Sequence, residues 1–256
     1  MSALDIDAPT VRKKLVQFIR DQMTCAGFEH GIIGLSGGLD SAVTAYLTTE
    51  ALTSANVIAL ILPYRSTDDE DQRHAELVIT KLGIESQIID ITPQIDAYFA
   101  QFPQADRLRR ANKIARERMS VLYDQSRVYE ALVIGTGNKS ERLLGYTTLW
   151  GDMACAFSPL GNLYKTQVQQ LAEELDVPEA IRNKAPSAGL WPGQTDEGEL
   201  GFSYAEADQI LYWLVDEKYS VEQVAEKGFS RDLVAEIATR VKHSAFKSRM
   251  PPVAEM

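Results

Sequence analysis

The first residues whose types and spacing could do chemistry are Ser36-Gly37-Gly38-Leu39-Asp40-Ser41. They follow a short apolar run, Gly31 to Leu35, and precede a helical stretch, Ala42 to Leu52, which indicates a strand, a glycine turn and a helix. The glycines let the backbone approach an anion closely, the serines can donate hydroxyl hydrogen bonds, and an aspartate near a helix start can hold a metal ion. The segment therefore predicts a cradle for a polyphosphate.

Other known motifs also contain a glycine turn of this kind. No Lys-Ser or Lys-Thr ends it, as a Walker loop requires, and it lacks the third glycine of the dinucleotide fingerprint. Gly34-Leu35-Ser36-Gly37-Gly38 also satisfies G-x-S-x-G, the nucleophile elbow of serine hydrolases, and acids and His243 follow it along the chain. We disfavour a hydrolase because its elbow normally follows several strands, whereas this one follows the first. A plain turn capped by Asp40 stays open.

A second polar segment follows another apolar run. Gly135-Thr136-Gly137-Asn138-Lys139-Ser140-Glu141 comes directly after Ala131 to Ile134. Ligands of open parallel sheets bind at the carboxyl ends of the strands, so we expect Glu141 to lie near Asp40. Two carboxylates that converge on a polyphosphate suggest a shared Mg²⁺ ion that keeps several waters.

A helical stretch from about residue 105 to residue 129 carries a group of positive charges. Arg109, Lys113 and Arg116 are spaced i, i+4 and i+7, so they share one helix face. Such a patch suits a dianionic pyrophosphate and a carboxylate. The alternative is an ordinary solvated basic face.

The elements around these motifs alternate between helix and strand. Predicted helices cover about 9–27, 42–52, 68–82 and 105–129, and predicted strands cover 31–35, 57–63, 84–91 and 131–134. This alternation predicts an α/β fold, a single doubly wound parallel sheet in a Rossmann-like three-layer α/β/α arrangement.

The rest of the chain is expected to belong to the same domain, 1–256, with a core at about 28–190. Residues 186–202 are rich in proline and glycine and are predicted to be the one long loop. A C-terminal helical region at about 203–245 is expected to hold two or three amphipathic helices, with Gly228 as a break.

Composition limits the function. Lys and Arg number 26 against 36 Asp and Glu, a net charge of −10, so nucleic acid is disfavoured as a partner. Two cysteines, Cys25 and Cys155, cannot build a disulfide framework and fit a reducing compartment, so we expect the cytoplasm. The N-terminal residues do not resemble a signal peptide, and the longest apolar run is far shorter than the ~18 residues that span a membrane. We therefore expect no membrane association.

The motifs together resemble a known family. SGGLDS resembles the pyrophosphate loop of the ATP pyrophosphatases, which adenylate a carboxylate or amide oxygen. With GTGNKSERLLGYTTLWGDMACAFSPLGNLYKTQV and KAPSAGLWPGQTDEGELGFSY, the chain resembles the NAD synthetases from about residue 30 to its basic tail. The resemblance implies an adenine nucleotide alpha-hydrolase-like fold and the ATP-dependent amidation of deamido-NAD to NAD with ammonia, through an adenylate, releasing AMP and pyrophosphate.

The resemblance also implies roles for individual residues. The ATP phosphates would be held by Gly34, Leu35, Ser36, Gly37, Gly38, Leu39, Asp40 and Ser41, with further ATP contacts from Thr136, Lys165 and Ser187. Mg²⁺ would be held by Asp40 and Glu141, which with Lys165 form the catalytic set, and Arg116 would contact deamido-NAD. A homodimer is implied, with the helix at 105–129 as an interface element.

The chain departs from the family pattern at a few positions. Ammonia-dependent bacterial relatives carry Lys-Tyr-Gly-Asp followed by an acid, where this chain has Leu149-Trp150-Gly151-Asp152 and then Ala156. The family's His-Lys near the C-terminus is Phe246-Lys247 here. This pattern resembles a branch that includes glutamine-dependent enzymes with a fused amidohydrolase domain, for which 256 residues leave no room. We therefore expect free ammonia, or a separate glutaminase subunit, as the nitrogen source.

Two other functions remain as alternatives. Another adenylating ATP pyrophosphatase, such as a tRNA-modifying enzyme, would share the glycine loop, but the acidic charge and the absence of a paired-cysteine motif disfavour thiolation. A nucleotide sensor without turnover would also keep the loop. It would not need Arg116, Lys165 and Ser187 together.

Overall fold

The computed structural model describes residues 3–65, 67–191 and 193–255. Within these ranges the sheet has four parallel strands in the order β3-β2-β1-β4. The strands are β1 (His30–Gly34), β2 (Val57–Ile61), β3 (Glu85–Ile88) and β4 (Ala131–Val133). Strand β2 is buried along its whole length, as expected of a central parallel strand covered on both faces, whereas the edge strand β3 is exposed.

Helix α1 precedes the first strand, the next helices connect one strand to the next, and the last helices form a C-terminal group. They are α1 (Ala8–Ala26), α2 (Leu39–Leu52), α3 (Asp69–Leu82), α4 (Thr92–Ala100), α5 (Arg107–Val128), α6 (Lys139–Leu144), α7 (Lys165–Glu174), α8 (Glu179–Arg182), α9 (Asp196–Leu200), α10 (Tyr204–Leu211), α11 (Val221–Ala225) and α12 (Arg231–Ser244). Helix α1 ends where Gly27 adopts a left-handed conformation, and Asp68 caps α3. None of the helices in the described ranges is long and apolar enough to cross a membrane.

Two apolar cores cover the two faces of the sheet. On one face, α1, α2, α3 and α7 pack against strand residues such as Ile33 and Ala59. On the other face, α4 and α5 pack against Ile32, Ile58 and Leu60. The predicted three-layer fold with a parallel sheet is therefore confirmed.

A third apolar cluster joins α10, α11 and α12 to the end of α6 and the residues before α7. The C-terminal part of the chain holds α10, α11 and α12, and Gly228 lies between α11 and α12. This cluster places α10 directly beside α6 and α7, the elements that carry Glu141 and Lys165.

The prediction of one long loop at 186–202 was wrong in two respects. Its last part forms α9, because Thr195 caps the amide of Gly198 at the helix start; residue 192 lies outside the described residues. A longer irregular segment runs from residue 145 to residue 164, with a single parallel bridge between Phe157 and Ile134. That segment is held by specific hydrogen bonds, such as those from Lys247 to the carbonyls of Gly145 and Thr147, which loop composition does not reveal.

Candidate active site

A cavity of about 710 Å³ lies at the carboxyl ends of β1, β2 and β4. Residues that directly follow these three strands line it, including Leu35, Leu62 and Gly135. Parallel sheets bind their ligands at this edge, and the volume lies within the roughly 300–1,000 Å³ of small-molecule sites.

The glycine turn after β1 is held in one conformation. Gly37 has a φ of +82°, and a Cβ there would overlap the carbonyl oxygen of Asp71, so only glycine fits. The Ser36 and Ser41 hydroxyls are hydrogen-bonded at 3.1 Å, and the Ser41 hydroxyl donates to the carbonyl of Gly38 at 2.9 Å. The backbone of the turn is thus shaped for the close approach of an anion.

The amino end of α2 points into the same cavity. Gly38 is the N-cap of this 14-residue helix, and none of the described side chains caps the first-turn amides. Free amides at a helix N-terminus, together with the helix dipole, favour an anion such as a phosphate. The predicted polyphosphate cradle therefore has both the backbone shape and the donors that it needs.

Three charged side chains from three different elements meet beside this turn. The Lys165 Nζ contacts the Oδ2 of Asp40 and lies 3.4 Å from the Oε1 of Glu141. Asn138 donates to the Oδ1 of Asp40 at 3.0 Å and forms a capping box with Glu141 at the start of α6. Lys165 is only 7% exposed, so its charge depends on these carboxylates.

The electrostatics of this cluster follow from burial. Burial raises the pKa of the Glu141 carboxyl, and the nearby Lys165 ammonium opposes that rise. Burial alone would lower the pKa of Lys165, but the carboxylates of Asp40 and Glu141 outweigh it and hold that pKa above its usual range. Lys165 therefore stays cationic at neutral pH.

The cluster is suited to a magnesium ion that arrives with a nucleotide. Among the described residues, no group of three or more His, Cys, Asp or Glu is arranged to hold a metal. Mg²⁺ is commonly bound by one or two carboxylates plus substrate phosphates and waters. Asp40 and Glu141 fit that donor set, since they already hold a cation, the Lys165 ammonium, between them.

Most of the residues predicted to bind ATP line the cavity. Those that do are Gly34, Leu35, Ser36, Gly38, Leu39, Asp40, Ser41, Thr136, Lys165 and Ser187, and Glu141 lines it with them. Gly37 is not among the described residues that line the cavity; it lies against the backbone carbonyl of Asp71. The convergence of Asp40 and Glu141 follows the rule that strands β1 and β4 end at the same edge.

The predicted basic face of α5 lies elsewhere. Arg116 is exposed, is not among the described residues that line the cavity, and donates to the carbonyl of Leu149 at 3.2 Å. Lys113 pairs with Glu117, and the Arg109 guanidinium lies 4.7 Å from the ring centroid of Phe102. A role for Arg116 toward deamido-NAD stays a prediction.

The basic residue of α5 that does line the cavity is Arg118, which sequence reasoning missed. Its Nε donates to the carbonyl of Leu62 at 3.1 Å, at the end of β2. The signal was present: Arg118 follows Ala111 and Ala115 and precedes Leu122 at helical spacing, so it lies in the apolar stripe of α5. A charge within an apolar stripe is a stronger indicator of a site than three charges on the polar face.

The serine-hydrolase alternative lacks its base. The Ser36 hydroxyl is hydrogen-bonded to Ser41 and the Gly38 amide. His243 lies exposed near the end of α12 and is not among the described residues lining the cavity. A nucleophile needs its base within hydrogen-bond reach.

Comparison with known proteins agrees with the geometry. The family model for NAD synthase matches residues 11–251. The chain belongs to the NAD synthase family. Curated relatives named NH(3)-dependent NAD(+) synthetase include one from Trichlorobacter lovleyi, 49% identical over 100% of this chain and 94% of the relative, and one from Fusobacterium nucleatum, 48% identical over 100% and 99%. The interpretation of the chain as a ligase of NAD biosynthesis is thereby confirmed.

Solved structures extend this result to the fold. An NMN synthetase from Francisella tularensis matches with a TM-score of 0.87 and 36% identity over 98% of this chain and 100% of that chain. An NH3-dependent NAD synthetase from Campylobacter jejuni, in complex with nitrate, matches with a TM-score of 0.83 and 34% identity over 98% and 100%. The NAD synthase fold is therefore confirmed over almost the whole chain.

Proposed function

We propose that this protein is an ATP-dependent ligase that amidates deamido-NAD to NAD with ammonia and releases AMP and pyrophosphate. One observation carries the proposal: Asp40, Glu141 and Lys165 converge beside a glycine turn and a helix N-terminus in one cavity. The family and its full-length relatives support the same reaction.

The first step forms an adenylate. An oxygen of the substrate carboxylate attacks the α-phosphorus of ATP, and the bond from that phosphorus to the β-phosphate oxygen breaks, so that pyrophosphate leaves. The turn at 36–41 and the first amides of α2 bind the phosphates, and Lys165 neutralises charge as pyrophosphate departs. Asp40 and Glu141 would hold Mg²⁺, which neutralises phosphate charge when it is bound.

The second step forms the amide. Ammonia attacks the carbonyl carbon of the adenylate, the carbon–oxygen bond to AMP breaks, and the added nitrogen loses a proton. A free carboxylate is a poor electrophile, and the attached AMP supplies the leaving group. No side chain of the protein need form a covalent bond at either step.

The irregular segments 186–191 and 193–195, together with α9, would cover the adenylate and exclude water from it. Ser187 and Thr136 line the cavity and are proposed to contact ATP. Lys184, just before the first of these segments, pairs with Asp71 of α3 at 2.6 Å. That ion pair joins this region to the helix that supports Gly37.

We further propose that the protein works as a homodimer in the cytoplasm, with Arg116 at the deamido-NAD site and α5 at the interface. The family resemblance implies both the homodimer and the use of α5 as an interface element. Sedimentation at micromolar concentration tests the assembly, and a monomer would contradict it. The nitrogen source would be free ammonia or a separate glutaminase subunit.

The decisive assay supplies ATP, Mg²⁺, ammonium and deamido-NAD. We expect NAD and AMP in equal amounts. ADP in place of AMP, or no AMP, would contradict the adenylate mechanism. Labelling of Ser36 by a fluorophosphonate probe would instead favour a hydrolase.

A second candidate substrate is the mononucleotide, nicotinate mononucleotide, which would be amidated to NMN. The Francisella tularensis structure with a TM-score of 0.87 is named an NMN synthetase. In addition, Leu149 and Ala156 stand where the family resemblance implies a lysine and an acid that contact deamido-NAD. The two acids should therefore be offered separately, and kcat/KM decides between them.

A further inference from the structure

A buried carboxylate outside the predicted site links the two helices that supply Glu141 and Lys165. Asp208, on α10, is fully buried. Its Oδ1 accepts a hydrogen bond from the Ser140 hydroxyl at 2.5 Å. Its Oδ2 accepts from the backbone amide and the hydroxyl of Thr166 at 2.8 and 2.9 Å. One carboxylate therefore bonds the first turns of α6 and α7 at the same time.

The link continues to Lys165 itself. The backbone amide of Lys165 donates to the Ser140 hydroxyl oxygen at 2.8 Å, and that hydroxyl donates in turn to Asp208. Ser140 immediately precedes Glu141, and Lys165 immediately precedes Thr166. The Asp208 network thus fixes the backbone on either side of the contact between Glu141 and Lys165.

Burial of a carboxylate costs free energy of folding, and this cost argues that Asp208 has a role. Burial raises the pKa of Asp208, and the hydrogen bonds from Ser140 and Thr166 oppose that rise. Asp208 forms no salt bridge within the described residues, so its charge is balanced by hydrogen bonds, by the amino end of α7 and by the nearby Lys165 ammonium. A carboxylate with good hydrogen bonds from two helix starts is rigid, since each oxygen is committed.

A second aspartate bridges the same two helices from the outside. Asp216, in the turn after α10, pairs with Lys139 at 2.7 Å and accepts from the Tyr164 hydroxyl at 3.0 Å. Its side chain is 35% exposed. Asp208 and Asp216 therefore join α6 to α7 on the inner and outer sides, but only Asp208 is connected to the backbone of Lys165.

We propose that Asp208 is a positioning residue: by bonding Ser140 and Thr166 together, it sets the separation of Glu141 and Lys165 in the cavity. The inference rests on the proposed function, because the separation matters only if both side chains serve the adenylation. Asp208 does not line the cavity among the described residues, so it acts through Glu141 and Lys165 and not on the substrate. Small misplacements of catalytic groups reduce turnover strongly while leaving substrate binding less affected.

The test compares Asp208→Asn with Asp216→Asn in the full chain. For Asp208→Asn we expect kcat to fall at least about tenfold while the KM for ATP changes less than about threefold. For Asp216→Asn, the matched bridge on the outer side, kcat should stay within about twofold of the parent. Thermal melting of both variants checks that each is folded at the assay temperature.

A second variant keeps the proposal testable if Asp208→Asn does not fold. Ser140→Ala removes only the hydroxyl between Lys165 and Asp208, and we expect the same loss in kcat. The double variant should be no slower than the slower single variant, because both changes break one network. A parental kcat in folded Asp208→Asn or Ser140→Ala would overturn the positioning role. A loss of activity no larger than the fraction of protein that is unfolded would overturn it as well. Failure of the unaltered chain to form NAD or NMN with AMP would instead overturn the proposed function.

Discussion

Two groups of three charged residues behave differently in this protein. Asp40, Glu141 and Lys165 come from three elements, are largely buried and meet in one cavity. The basic residues at positions 109, 113 and 116 share one face of α5, and each finds a partner close by on the surface. Charged residues at helical spacing lie on the same face of a helix, but the spacing alone does not show what that face contacts. Charges that are brought together from distant elements and buried carry a desolvation cost, so they mark a site more reliably.

The largest expected effect is on the buried group. Lys165→Met removes the cation between two carboxylates and the positive charge proposed to face pyrophosphate. We expect kcat to fall by more than about a hundredfold, or ~2.7 kcal/mol of transition-state stabilisation. Steady-state rates of AMP release measure this, with circular dichroism as the check on folding. A kcat within tenfold of the parent's would show that the buried group does not matter more for turnover than the surface group.

The carboxylates of the same group should have the next largest effect. Asp40→Asn and Glu141→Gln keep the shape of each side chain but remove its negative charge. Each should lower turnover by more than about tenfold, or ~1.4 kcal/mol, and raise the Mg²⁺ concentration needed for half-maximal rate. A titration with Mg²⁺ at saturating ATP gives both quantities. Parental rates in either variant would exclude that residue from the metal site.

The surface group gives a smaller effect that tests the resemblance directly. If Arg116 contacts deamido-NAD, Arg116→Ala should raise the KM for deamido-NAD by about fivefold, equivalent to ~1 kcal/mol, and leave the KM for ATP unchanged. Lys113→Ala is the matched control on the same helix face, since Lys113 is occupied by Glu117. Equal and unchanged KM values in the two variants would show that the face is only solvated.

The smallest effect concerns stability and pH. Burial raises the pKa of Glu141, so this carboxyl binds a proton more tightly in the folded chain than in the unfolded chain. Between its unfolded pKa of about 4.3 and the raised folded pKa, the folded state loses stability from this group as pH rises. Glu141→Gln cannot ionise and escapes that loss.

Calorimetry with a chelator present measures this effect. The melting temperature of Glu141→Gln minus that of the parent should increase from about pH 5 to pH 8. The increase should be about 2–4 °C for each kcal/mol of unfolding free energy that the parent loses over this range. A difference that shrinks over this range would contradict a raised pKa. The Lys113→Ala variant should show no such trend, because it leaves the buried group intact.

The fold and part of the site could be predicted from local patterns. Alternating apolar runs and helical stretches determine a parallel sheet, and the edge rule then brings Asp40 and Glu141 together without any contact being known. Strand β3 was predicted to be longer than it is, because its exposed residues, Glu85–Ile88, carry little pattern. Helix α4 (Thr92–Ala100) was not predicted, although Pro93 in its first turn is a usual start signal.

Other parts of the site could not be predicted from periodicity. Lys165 was placed through the family resemblance alone, because the irregular segment at 145–164 gives no period from which to infer its direction. Asp208 carries no motif: it is one acid on a short amphipathic helix, and only the packing of α10 on α6 and α7 shows that it is buried. Arg118 could have been identified from the sequence, because it lies in the apolar stripe of α5, between Ala115 and Leu122.

The position of Asp208 along the chain also has a consequence for synthesis. All four described strands and the residues Asp40, Glu141 and Lys165 precede Asp208 in the chain, so they are synthesised before it. Domains fold from the N-terminal side as they emerge, and contacts between distant residues form late. We therefore expect a nascent chain to form its sheet and glycine turn early, and to complete its charged cluster only when the C-terminal helices dock. A ribosome-bound chain would then acquire ATP-dependent turnover in one late step, and truncation before Tyr204 would leave a sheet without an active cluster.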